Sequence, residues 1–424
     1  MTLPPAPLSP APLLPAVPVT WLANPAGRRD QAYGPAQAAI LNADALDAAR
    51  REVAAWPGYA PTPLCDFAPL AAAAGIAALH YKDEAGRFGL GSFKALGGAY
   101  AVARLLARVL GQRLGRPVDP AELRRDPALR AACADITVTC ATDGNHGRSV
   151  AWGAQVFGCR CVIYVHATVS AGRQQAIEAF GATVVRTAGN YDDAVRQADA
   201  DARALGRHVI SDTSYPGYLD VPRDVMQGYQ LMVDEAVAQL GAWPTHVLVQ
   251  AGVGGFAAAV CAWFWERAGS DPARRPRFIV VEPTQADCLL RSARAGQPVA
   301  VTGALDTLMA GLACGEVSLL AWDILHPGAD AFCTVDDAAA VAVMRLLARP
   351  PAGMAPVVAG ESAVAGLAAL FGLCQDPAAR AALGLTPDSR VLCFGSEGDT
   401  DPALYAQLVG ADAATVRAGG WTAP

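Results

Sequence analysis

DITVTCATDGNHGRSVAWGAQVFGCRCVIYV, residues 135–165, is the stretch on which the fold turns. DITVTCA reads as a strand, TDGNHGRSVAWGAQVFG as a turn with its helix, and CRCVIYV as the next strand. Downstream the pattern repeats: SAGRQQAIEAFG is a helix, ATVVRTAG a strand, YDDAVRQADADARALG a helix and HVISD a strand. Successive strand-turn-helix units predict a parallel sheet with helices on both faces. The alternation resumes in THVLVQAGVGG, RFIVVEP and VLCFGSEGDTD. The expected fold class is therefore α/β, with two open, mostly parallel sheets each flanked by helices. Residues 98–220 are expected to form a small α/β domain, and 21–97 with 221–424 a large one. No internal repeat stands out.

Upstream, a helical pattern near residues 44–55 leads into the Pro-rich turn WPGYAPTPL. ALHYK, residues 78–82, reads as a short strand, DEAGRFGLGS as a turn, and a helix opens near Phe93 with Ser92 as its cap. Residues 115–132 read as a polar surface excursion. The first twenty residues hold seven prolines and no Lys or Arg. That excludes the basic start of a signal peptide and predicts a flexible or surface-lying polyproline arm. No run approaches the roughly 18 apolar residues that span a bilayer, so a cytoplasmic protein is expected.

At 424 residues the chain has ample length for two lobes, and its net charge of -6 gives no general attraction to nucleic acid or acidic membranes. Eleven cysteines lie scattered without a CxxC pair, and only six histidines accompany them, so a zinc site is not indicated. The informative count is lysine. Of 33 basic residues only Lys82 and Lys94 are lysines. Guanidinium stays charged and forms no imine, so an arginine-biased chain keeps a lysine where an amine must react. Chance would scatter two lysines anywhere; these fall twelve residues apart in a glycine-punctuated segment.

Four turns carry candidate chemistry. GLGSFKALGGAY, residues 89–100, presents Lys94 at a helix start, with glycines that let a flat ligand approach. CATDGNHGRSVAWGA, residues 140–154, sets Asp143 and Asn145 at a strand's end, where the plainer role for Asp143 is a helix cap. VLVQAGVGGFAAAV runs a strand through Gly252, Val253, Gly254 and Gly255 into an apolar helix, a place for a phosphate; without a Walker lysine it disfavours a nucleoside triphosphate. VLCFGSEGDTDPALY, residues 391–405, offers Ser396 to a ring nitrogen. Its Glu397, Asp399 and Asp401 are suited either to an amine or to capping the helix from Pro402.

Together with KDE, SDTSYPGY, MQGY, VEPTQADC, MAGLACGE and GES, these segments resemble the fold-type II pyridoxal-phosphate enzymes, and within them the diaminopropionate ammonia-lyases. The likeness spans residues 78–405 and leaves out the Pro-rich arm. It implies pyridoxal 5'-phosphate held as a Schiff base on Lys94 within the large domain. Phe93 would border the ring, Asn145 would hold its phenolate oxygen, Ser396 would face its nitrogen, and Gly252 to Gly255 would line the phosphate cup. Asp143 and Asp212 would be the acids facing substrate, and Lys82 a structural ion pair. It also sets Cys288 near Cys314, where a disulfide is conceivable but unusual in a reducing compartment.

The implied reaction is α,β-elimination of D- and L-2,3-diaminopropionate to pyruvate and two ammonia, in a homodimer that binds a small amino acid. A serine or threonine dehydratase is the alternative. Asp143 and Asp212, suited to a second ammonium, weigh against it, since dehydratases carry a small or neutral residue at the position of Asp143. A silent amino-acid-binding protein on the same scaffold is more remote, because Lys94 and the glycine cup are kept.

Overall fold

The computed structural model describes residues 13–142, 144–189 and 191–419, less the side chain of residue 192. Its strands are β1 (Thr20–Ala23), β2 (Leu64–Asp66), β3 (Ala78–Asp83), β4 (Thr137–Ala141), β5 (Arg160–Val165), β6 (Thr183–Arg186), β7 (His208–Val209), β8 (His246–Gln250), β9 (Arg277–Pro283), β10 (Ala331–Val335) and β11 (Arg390–Gly395). One sheet has the order β1-β10-β9-β8-β11-β3-β2, and the other β6-β5-β4-β7. All pairs are parallel except the two edges, where β1 runs antiparallel to β10 and β2 to β3.

Both sheets reverse direction once. In the smaller one the chain lays β5 and β6 to one side of β4, then returns to place β7 on the other. In the larger it lays β9 and β10 to one side of β8, then returns with β11 on the other. At such a reversal the connections leave on opposite faces and open a crevice beyond the carboxyl ends of the two strands. The crevices fall after β4 and β7, at residues 142, 144–145 and 210–212, and after β8 and β11, at residues 251–255 and 396–398.

The α/β reading holds, with local corrections. The sequence reading passed over β1, β2 and β10. The first two are short antiparallel edges, and β10 (AFCTV) is buried along its whole length, an apolar run in which strand and helix periods cannot be told apart. Residues 115–132 are not an irregular excursion but contain Pro120–Arg125 and most of the helix Pro127–Cys133. Each has Pro at its first position and a capping aspartate before it, Asp119 or Asp126, and they bury Leu123 and Leu129. Ser92 does not cap the next helix, which runs Ala95–Leu114 after Lys94; Ser92 instead makes a backbone bridge to Glu397. The described part of the Pro-rich arm is seated rather than free. Leu14 and Val17 are buried, and the Pro15 carbonyl accepts from Gln375 Nε2 at 2.9 Å.

The helix Ala95–Leu114 packs against Asn145–Phe157 and Asp220–Gln239 with unusually close backbones. A side chain at Gly228 would collide with the Leu96 carbonyl, and one at Gly153 would come 2.7 Å from Ala99 Cα. Glycine is required there for approach, and the contact fixes where the helix after Lys94 begins. Among the described residues no helix is long and apolar enough to cross a membrane.

Candidate active site

The crevices of the two sheets meet at Lys94. The segment before it turns through Phe88 (φ 52°) and Gly91 (φ 78°). It is then stitched to the turn after β11, with Phe93 N donating to Ser396 O (3.0 Å) and Gly398 N to Gly91 O (2.9 Å). The amine reaches across to the smaller sheet, where Lys94 Nζ lies 2.6 Å from Asp212 Oδ2, just beyond β7. The rings of Phe93 and Tyr229 stand 5.6 and 5.9 Å from Nζ. His146 Nδ1 lies 3.9 Å from the same carboxylate oxygen, and its Nε2 bonds Ile210 O at 2.8 Å.

Burial opposes charge on both partners, but their mutual attraction wins. Desolvation acts to lower the Lys94 pKa, and Asp212 more than offsets it, holding the amine above the ordinary lysine value. Desolvation acts to raise Asp212, and Lys94 with His146 pulls it well below the usual carboxylate range. The resting pair is ammonium and carboxylate. Lys94 must lose a proton before it can act as a nucleophile or a base.

The larger sheet supplies the cradle. After β8 the chain passes Gly252, Val253 and Gly254 (φ 97°) into the helix Gly255–Ala268. The first helical bond is Ala258 N to Gly254 O (2.8 Å), so the N–H groups of Gly255, Phe256 and Ala257 have no helical acceptor and suit an anion. Val253 O accepts from Ser318 N (2.9 Å), and Ser318 is bonded to Ser214, which follows Asp212 by two residues. A side chain at Gly252 would come within 2.9 Å of Cys314 Sγ, and one at Gly255 within 3.6 Å of the Asp212 carbonyl. Asp212 thus touches the amine with its carboxylate and the cradle with its backbone.

On the far rim, Ser396 Oγ accepts from Gln250 Nε2 at 3.0 Å, which leaves its own proton to donate. The same Gln250 nitrogen also donates to Phe394 O (2.8 Å). The acidic turn divides its labour. Asp399 pairs with Arg417 (2.6 Å), Asp401 caps the helix Pro402–Val409, and Glu397 turns inward to accept from Asn145 Nδ2. Lys82, wholly buried, pairs with Glu235 at 3.0 Å and is unavailable for chemistry. Cys288 and Cys314 both lie close to Gly252, with no disulfide between them. Asp143 lies outside the described residues.

The model of the pyridoxal-phosphate dependent enzyme family matches residues 55–396. The chain belongs to that family. Diaminopropionate ammonia-lyase of Salmonella typhimurium is 41% identical over 365 residues, covering 83% of this chain and 89% of the relative. The Escherichia coli K12 protein of the same name is 40% identical over 358 residues, covering 83% and 88%. The crystal structure of the Escherichia coli lyase with an aminoacrylate-PLP azomethine reaction intermediate superposes with a TM-score of 0.82 at 36% identity, covering 93% of this chain and 97% of that one. Threonine deaminase from Solanum lycopersicum, at 21% identity and a TM-score of 0.67, shares the fold.

The protein is accordingly a pyridoxal-phosphate-dependent lyase, and its own geometry suits that cofactor. A glycine-rich cradle for a phosphate, an amine for an aldehyde and a hydroxyl with a proton to spare for a ring nitrogen surround one recess. Tyr229 adds a buried hydroxyl beside Lys94. Sequence reading named Lys94, Asp212, Asn145, Ser396, Phe93 and the glycines but gave no role to Tyr229 or Gln250. Gln250 had a signal: it is the polar residue ending an otherwise apolar strand just before the glycine turn. Tyr229 lay inside a quoted segment, MQGY, but nothing there set it apart from the other apolar positions of the helix Asp220–Gln239.

Proposed function

We propose that the chain eliminates the β-amino group from both enantiomers of 2,3-diaminopropionate, releasing pyruvate and two ammonia. The observation that carries this reading is Asp212 paired with Lys94 at 2.6 Å where the two crevices meet. The names of its relatives support the same substrate. Pyridoxal phosphate, when bound, supplies an electron sink that makes the substrate's Cα proton removable. Lys94 carries the cofactor and then takes that proton at Nζ on one face. Asp143 takes it from the other enantiomer on the opposite face. Asp212 holds the charge on Lys94 and offers a carboxylate to the β-ammonium, which must depart protonated because a bare amine leaves poorly.

The remaining roles concern position. Phe93 borders the ring and Asn145 donates to its phenolate oxygen. Gly252, Val253, Gly254 and Gly255 receive the phosphate, and Ser396, fixed by Gln250, donates to the ring nitrogen. A neutral donor there makes a milder sink than a carboxylate would, adequate where the leaving group is well held. Residues 98–220 form the small domain and 21–97 with 221–424 the large; the strands of the smaller sheet all fall within 98–220. The working unit is a cytoplasmic homodimer.

The test compares D and L rates for Asp143→Asn, a change that preserves shape but removes basicity. General-base loss costs about a hundred-fold to ten-thousand-fold. Turnover of D-2,3-diaminopropionate should collapse by that order while the L-isomer keeps a much larger share. An unchanged ratio would reduce Asp143 to a cap. Serine turned over faster than diaminopropionate by the wild type would favour the dehydratase alternative.

A further inference from the structure

We propose that Glu397 is a positioning residue for the cofactor's ring oxygen, acting by fixing which end of the Asn145 side-chain amide faces it. The inference rests on the reading of Asn145 as the group that donates to that oxygen. The nitrogen and oxygen of an amide are nearly the same size, so packing alone does not choose between them. A carboxylate accepts hydrogen bonds and donates none, so it draws the nitrogen end toward itself. Glu397 Oε2 accepts from Asn145 Nδ2. That nitrogen carries two hydrogens, and the second is left for another acceptor. Reversed, the amide would set its oxygen against both the carboxylate and the ring oxygen, replacing two hydrogen bonds with two lone-pair contacts.

Glu397 is itself held firmly enough to do this. It is 4% exposed, its Oε1 accepts from Ser362 N at 3.2 Å, and its Oε2 also takes Thr400 Oγ1 at 3.4 Å. Its backbone accepts from Gly360 N at 3.0 Å and bridges to Ser92, two residues before Lys94. The neighbouring charges are Arg148, Glu361, Arg173 and Asp401, with Arg173 3.4 Å from Glu361 and 3.6 Å from Asp401. Burial first, and the Glu397 charge second, push Glu361 up to about 8. The bond between Glu397 and Asn145 also joins the turn after β11 to the turn after β4, so the polarity of an amide on one sheet is dictated from the other.

The readout is the visible absorbance band of the lysine-bound cofactor, titrated with pH. A donor to the ring oxygen draws off negative charge and so weakens that oxygen's hold on the proton of the lysine–cofactor linkage. Losing a hydrogen bond to a charged group corresponds to a shift of about one to two pH units. Glu397→Gln has one acceptor oxygen for three donors and should move the midpoint upward by about that much. Asn145→Ala should move it in the same direction. The double variant should match Asn145→Ala alone, because Glu397 acts through Asn145. If Asn145→Ala leaves the midpoint in place, the reading of Asn145 falls. If Asn145→Ala shifts it and Glu397→Gln does not, or if the two shifts add, the positioning role of Glu397 falls while that reading stands. Should Glu397→Gln not fold, Glu397→Asp serves instead: it keeps the charge, draws the oxygens back by one methylene, and must shift the midpoint upward in part.

Discussion

The two lysines occupy contrasting environments, although a single turn separates them. Lys82 is fully buried, and its ammonium has an acceptor in every direction: Thr62 O at 2.7 Å, Gln239 Oε1 at 2.9 Å and Glu235 at 3.0 Å. Glu235 also binds Arg87, which in turn holds Glu84, so the charge belongs to a closed network. Lys94 keeps 19% of its side chain exposed, with one carboxylate partner and two aromatic rings. A saturated ammonium is a fastener; one with a single partner can exchange it for a proton acceptor or a carbonyl. Reactivity here follows from the number of partners rather than from residue type.

That contrast can be broken most directly by removing each amine in turn. Lys94→Ala should abolish turnover and the borohydride-sensitive visible band, with circular dichroism unchanged. Normal activity in that variant would leave Lys82 as the only other lysine able to carry the cofactor, and the contrast would be void. Lys82→Met should do the reverse, keeping the band while lowering stability. Breaking a buried ion pair costs about 3–5 kcal/mol, and because Arg87 still neutralises Glu235, the lower end is expected in a denaturant titration. A variant as stable as the wild type would show that the closed network fastens nothing.

The finer comparison concerns Asp212, the carboxylate paired with Lys94. Its charge raises the lysine pKa, so Asp212→Asn should lower it and increase the neutral fraction at any given pH. Capture of cofactor by the ligand-free variant should therefore reach its plateau at a lower pH than in the wild type, by about one unit or more. A capture profile that moves upward, or stays, would mean that burial rather than Asp212 governs the amine.

Much of this was legible in the sequence because the chemistry sits on punctuation. Lys94, Asn145, Gly252 to Gly255 and Ser396 each follow a strand or open a helix, where glycines and β-branched runs mark the chain. Lys82 as an ion pair could be anticipated, but not its partners, since Glu235 comes from a distant helix and nothing local announces it. What stayed hidden depends on contact between sheets. Tyr229 approaches Lys94 only because Gly97 leaves room for its ring, and Glu397 meets Asn145 only when both crevices close on one recess. The edges β1 and β2 escaped notice because a short antiparallel edge needs no pattern of its own beyond a neighbour to bond.

One consequence of the sheet order concerns how the protein is made. β3, which leads into the Lys94 turn, has only β2 and β11 as neighbours, and β11 starts at Arg390. Phe93 and Gly91 are likewise tied to residues that follow β11. During synthesis the reactive amine leaves the ribosome early, while the surface it rests on is completed among the last strands to emerge. Until then the lysine has no formed recess around it, so the order of strands in space sets an order in time.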